Sequence, residues 1–132
     1  MSKSYENAIL IADDEETTTK KVRSMLTDPQ KIRRGDPGRP EVCPVFALWH
    51  FVNPLQLDGI AAGCRSGALG CVQDKTDFAE QLNAYLRPIR ERYAGYIGDP
   101  SHIERIITDG TERTRAIARG VLADVKRAMK LT

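Results

Sequence analysis

The chain has 132 residues, enough for one domain or one domain with a tail. Charged residues make up 29% and the hydrophobic set 41%, a globular balance that excludes wholesale disorder. Apolar runs such as Ala8–Ala12 and Val45–Trp49 fall far short of the ~20 residues of a membrane span, and Met1–Asn7 has no apolar signal core, so a cytoplasmic chain without membrane contact is expected. Twenty Lys and Arg against eighteen Asp and Glu give a net charge of +2, too mild by itself to mark a nucleic-acid binder.

The first twelve residues form an irregular arm, with Ala8-Ile9-Leu10-Ile11-Ala12 too short to fold alone. Asp13 or Asp14 is placed to cap a helix running to about Leu26, its acidic residues at the N-terminal end and Lys20, Lys21 and Arg23 further along, as the helix dipole favours. Thr27-Asp28-Pro29 stops it, because the residue before proline is pushed out of the α region. Residues 27–42 read as a loop rich in Pro, Gly and charge, Arg34-Gly35-Asp36-Pro37-Gly38-Arg39-Pro40-Glu41, of a length that often carries function. Short helices follow at Pro44–Val52 and Leu55–Cys64, then a glycine turn through Gly63, Gly67 and Gly70.

From about Val72 to Tyr96 the residues Phe78, Leu82, Tyr85, Leu86, Ile89 and Tyr93 draw one helical apolar stripe, with a kink expected at Pro88. Asp99-Pro100-Ser101 opens another helix, and Ile117, Val121, Leu122, Val125, Ala128 and Met129 mark a last one over about Thr111–Met129. No sustained alternation of period two occurs. The expectation is an all-α fold, a small helical bundle with an irregular N-terminal arm, divided as residues 1–12 and 13–132.

Between Lys20 and Arg39 lie seven basic residues (Lys20, Lys21, Arg23, Lys31, Arg33, Arg34, Arg39) and only Asp28 and Asp36 as acids. Such a stretch is either a solvated flank or a surface that displaces counterions from a polyanion. Three cysteines, Cys43, Cys64 and Cys71, are an odd number without an export signal, which argues against a disulfide framework.

The order of the short segments carries more than any one of them. Met1-Ser2-Lys3-Ser4-Tyr5 resembles the mobile signature loop of class I aminoacyl-tRNA synthetases. It is followed by Thr27-Asp28-Pro29, by Arg33 to Phe46 with its Gly35-Asp36-Pro37 and Cys43-Pro44 elements, by Ala62-Gly63-Cys64-Arg65-Ser66-Gly67, by Gly70-Cys71 and by Leu86-Arg87-Pro88-Ile89-Arg90. From Met1 to about Met129 this succession resembles the C-terminal part of the bacterial tryptophanyl-tRNA synthetases. The proline–cysteine and glycine–cysteine segments separate that family from its tyrosine relatives.

The resemblance implies ATP-dependent activation of tryptophan, with magnesium, and transfer to tRNA(Trp) in an intact, usually homodimeric enzyme. It implies Lys3 as the catalytic lysine of the loop, with Ser2, Lys3 and Ser4 against the ATP phosphates. A nucleotide-binding domain would lie upstream, so this polypeptide alone is expected to be inactive and residues 1 to about 12 loose. The helical remainder would face tRNA, with Arg33, Arg34, Arg39, Arg65 and Arg87 as candidate contacts.

Some members of this family bind a four-iron, four-sulfur cluster through four cysteines. Cys43, Cys64 and Cys71 match three of them, and Asp74 stands at the fourth position. The readings are three reduced thiols, a cluster completed by Asp74 or an outside ligand, or zinc with Asp74 or His50 as fourth ligand. A stand-alone helical RNA-binding or metal-binding module is the alternative function.

Overall fold

The structure, a computed structural model, describes residues 8–131. Ser2, Lys3 and Ser4 lie outside the described residues. The described chain is helical, without a strand among its described residues: α1 (Glu15–Ser24), α2 (Pro44–Val52), α3 (Leu57–Ser66), α4 (Cys71–Gly98) and α5 (Pro100–Ala128), with single 3-10 turns at Pro40–Val42 and Pro54–Gln56. It divides into two compact units, the first ending at Glu91 and the second starting at Arg92.

In the first unit, Asp14 caps α1 by accepting the Thr17 amide at 2.6 Å, with Glu15 and Glu16 in the first turn and Lys21 and Arg23 in the last. Pro44 opens α2, where a missing N–H costs nothing. Val22, Cys43, Val45, Trp49, Phe78 and Ala79 form the core, joining α1, α2 and α4. Trp49 meets Phe78 edge-on with ring centroids 5.2 Å apart.

The expected arm is partly fastened. The Asp13 amide closes a turn on the Leu10 carbonyl at 3.1 Å, Lys21 donates to the Ala8 carbonyl at 2.8 Å, and Arg90 to the Ile11 carbonyl at 3.2 Å.

Three expectations need correction. The stripe on α4 is narrower than its periodicity suggests: Phe78 and Leu86 are buried, while Tyr85 and Tyr93 are about half exposed. Where α4 meets α1 the seam is polar instead. Asn83 donates to the Glu15 carbonyl and the Thr19 hydroxyl, both at 3.2 Å, and Arg90 donates to Asn83 Oδ1 at 2.8 Å and to buried Thr18 Oγ1 at 2.7 Å. The third helix begins at Leu57, after a 3-10 turn at Pro54–Gln56, and ends at Ser66. Finally, the two helices expected after Pro100 are one, α5, which runs through Gly110 without a break. A single glycine costs a helix about 1 kcal/mol, too little to end it.

The loop between α1 and α2 is anchored to α3. Gly38 donates to the Cys64 carbonyl at 2.8 Å. Gly67, at φ +78°, terminates α3 so close to this loop that an added Cβ would lie 2.1 Å from the Gly35 carbonyl oxygen. In the second unit, Asp99 caps α5 by accepting the His102 amide at 3.1 Å, and Tyr96 stacks on His102.

Candidate functional site

The basic stretch of residues 20–39 splits when folded. Lys20 pairs with Glu16 at 2.6 Å, Lys21 with Asp13 at 2.7 Å, and Arg39 with Asp28 at 2.6 Å. Lys31 turns inward, 8% exposed, and donates to the Cys64 carbonyl at 3.2 Å and the Leu69 carbonyl at 2.9 Å. There it sits at the negative end of the α3 dipole.

Of the rest, Arg23 lies at a separate depression bounded by α1 and α4, while Arg33 and Arg34 join the inward Lys31, Ile32, residues 68–70 and the first residues of α4, Cys71, Val72 and Gln73, around one cavity of about 350 Å³. Three cations and no carboxylate line it. Neither guanidinium, of Arg33 or of Arg34, is paired with a carboxylate among the described residues. Ile32 and Val72 are 84% and 78% exposed, so apolar surface stands beside positive charge. That combination suits a sugar–phosphate chain with unstacked bases.

The five arginines singled out in the sequence are not one cluster. Arg33 and Arg34 line this cavity together. Arg39 is held by Asp28 through three contacts: its backbone amide at 2.9 Å, Nε at 3.1 Å and Nη2 at 2.6 Å. These contacts hold the Asp28 carboxyl far below the usual carboxylate range. Arg65 pairs with Glu41, and Arg87 with Glu15 at 2.9 Å in a separate depression bounded by α1 and α4. Motif and charge patterns do not single out Ile32, Val72 or Gln73. The signal that could have found Ile32 is a large apolar residue set between Lys31 and Arg33; Val72 and Gln73, between Cys71 and Asp74, carry no such signal.

Cys43, Cys64, Cys71 and Asp74 do converge, with Thr27, Asp28, Lys31 and Leu69, around a cavity of only about 10 Å³. That is the room of a single water. Asp74 accepts the Trp49 indole N–H at 2.9 Å, yet burial raises its carboxyl above the usual value. Burial likewise pushes up the thiols of Cys43 and Cys64, against the pull of Lys31 on the latter. Metal ligation needs thiolates, and this pocket favours thiols.

His50 is exposed, packs edge-on against Phe46 and does not line the pocket. Among the described residues, no group of three or more His, Cys, Asp or Glu side chains is placed to hold a metal ion. The residues present do not fit an iron–sulfur cluster, and the zinc arrangement with His50 is not assembled.

The described residues thus make an all-helical chain with a cavity that Arg33 and Arg34 line and no carboxylate enters. Comparison with known proteins gives the family. Residues 1–87 match the family described as tRNA synthetases class I (W and Y), and the chain belongs to that family. It is 44% identical to the tryptophan–tRNA ligase of Aquifex aeolicus (strain VF5) over 99% of its own length and 34% of that protein's. It is 43% identical to the tryptophan–tRNA ligase of Treponema pallidum (strain Nichols), over 100% of this chain and 40% of the relative. A crystal structure of the tryptophanyl-tRNA synthetase from Campylobacter jejuni superposes with a TM-score of 0.86 at 29% identity, covering 99% of this chain and 42% of that one. A second, complexed with ADP and tryptophan, gives 0.87. The chain thus spans roughly a third to two fifths of the length of these relatives. No helix among the described residues is long and apolar enough to cross a membrane.

Proposed function

We propose that this chain is the tRNA-facing part of an ATP-dependent tryptophan–tRNA ligase, cytoplasmic and homodimeric when whole. The observation that supports it most is a likeness to tryptophan–tRNA ligases that runs through 99% of the chain, the basic cavity included. In this reading residues 1–12 are the end of the ATP-binding loop and residues 13–132 the tRNA-facing domain. A free-standing RNA-binding or metal-binding module draws no comparable support.

In the whole enzyme the carboxylate of tryptophan would attack the α-phosphate of ATP with release of pyrophosphate, and a terminal hydroxyl of tRNA(Trp) would then attack the aminoacyl-adenylate with release of AMP; magnesium would supply positive charge against the ATP phosphates. The Lys3 ammonium, flanked by the Ser2 and Ser4 hydroxyls, would stabilise charge growing on the departing pyrophosphate. Arg33 and Arg34 would neutralise tRNA phosphates in a cavity where no carboxylate competes. Arg39, Arg65 and Arg87, already paired with Asp28, Glu41 and Glu15, would contribute less.

Two measurements test this. Binding of tRNA(Trp) is titrated with salt for the chain and for its Arg33→Ala, Arg34→Ala double variant. The slope of log K against log salt falls by about two in the variant if each arginine holds one phosphate. An unchanged slope removes both from the interface. ATP–pyrophosphate exchange with tryptophan stays at blank level for the 132-residue chain, because the larger share of the relatives' length is not spanned. Clear turnover would overturn the assignment of this part to tRNA contact alone.

A further inference from the structure

Residues 28–39 carry Arg33 and Arg34, and the two ends of this segment meet at one carboxylate. Asp28 is only 4% exposed. It accepts the Gln30 amide at 3.0 Å and the Arg39 amide at 2.9 Å, and both of its oxygens take the Arg39 fork, Nε on Oδ2 at 3.1 Å and Nη2 on Oδ1 at 2.6 Å. A surface loop whose ends are closed in this way is compact. Its shoulders are pinned as well, by the Lys31 ammonium on the Cys64 and Leu69 carbonyls and by the Gly38 amide on the Cys64 carbonyl. At the tip, the Asp36 carboxylate accepts the Arg33 amide at 2.7 Å and the Asp36 amide donates to the Arg33 carbonyl at 3.2 Å, with Gly35 at φ +103° making the turn. The backbone is thus tied at its ends, shoulders and tip, while the Arg33 and Arg34 side chains are exposed and unpaired with carboxylates among the described residues.

We propose that Asp28 and Arg39 are positioning residues for RNA binding: their clasp closes the loop and holds Arg33 and Arg34 ready at the cavity. This rests on the reading of that cavity as a tRNA contact. A loose loop would have to be ordered when the phosphates arrive, and that cost lowers affinity; a clasped loop is ordered beforehand. The role is specific to arginine. A lysine keeps the charge but cannot donate to both carboxylate oxygens in a planar fork. Arg39 therefore acts through Arg33 and Arg34 rather than by its own attraction for phosphate.

Arg39→Lys separates the two roles. Binding of tRNA(Trp) to the 132-residue chain is measured with this substitution in the parent and in the Arg33→Ala, Arg34→Ala background. The expected loss is about tenfold in the parent and less than about twofold in the double-variant background, because the residue acts through a pair already removed. No loss in the parent, or equal losses in both backgrounds, overturns the proposal. Trypsin reads the clasp without RNA: cleavage after Arg33 and Arg34 should be about fivefold or more faster in Arg39→Lys, since the opened loop fits a protease better. Unchanged cleavage also overturns the proposal. The substitution adds no trypsin site, because Pro40 follows. Should Arg39→Lys not fold, Asp28→Asn takes its place with the same outcomes. Absence of tRNA(Trp) binding by the unaltered chain would instead sink the tRNA reading on which the proposal stands, so the two failures are told apart.

Discussion

Trp49 and Asp74 face each other in the core of the first unit, and the indole N–H is the donor that makes a buried carboxyl tolerable. Trp49→Phe keeps most of the aromatic contact with Phe78 and removes that donor. The expected loss is about 1–3 kcal/mol, read as a lower urea midpoint. Asp74→Asn keeps an acceptor for the indole and removes the ionisable group. Because the folded pKa of Asp74 is raised, its favourable effect is complete only below the unfolded value of about 3.9 and is lost as pH rises through the folded pKa. Asp74→Asn is therefore more stable than the parent at pH 7, and the difference shrinks below pH 4. Asp28 has the opposite sign. Its folded pKa is depressed by Arg39, so its contribution is present above about pH 3.9 and lost as pH falls. In Asp28→Asn the stability curve flattens on the acid side, which a pH series of thermal melts would show.

At the scale of elements, Gly67 is the position where sequence and geometry meet most tightly. Gly67→Ala forces a side chain onto a positive φ and into the Gly35 carbonyl, so it should cost several kcal/mol by urea titration, whereas Gly59→Ala meets open space and stabilises α3 slightly. Helix ends with capping chemistry are legible in the sequence. Asp14 before Glu15, Pro44 opening α2 and Asp99-Pro100 opening α5 each announce a start by a local mechanism. Polar partnership is not legible there. Asn83 sits inside an apolar stripe because its amide bridges the Glu15 carbonyl and the Thr19 hydroxyl, 68 and 64 residues away, and no periodicity records that. The same limit applies to the candidate site. A run of seven cations reads as one patch, but Lys20, Lys21 and Arg39 fold back onto carboxylates, Lys31 turns onto carbonyls and Arg23 lies at a separate depression, leaving Arg33 and Arg34 at the cavity.

Across the whole molecule, apolar burial is uneven. The core cluster belongs to the first unit, and α5 contributes nothing buried. Hydrogen exchange of the 132-residue chain should therefore leave amides of α5 poorly protected while those of α2 and the first half of α4 exchange near the global limit. Uniform protection across both units would contradict this. The inward Lys31 has a consequence of another kind. Its ammonium is spent on two carbonyls, one closing α3 and one preceding α4, and is largely shut from solvent. Amine-acylating reagents will reach it after the surface lysines such as Lys20 and Lys126. The rate at which its mass tag appears then clocks the parting of the loop from the helices, a chemical stopwatch for the first unit that needs no engineered label.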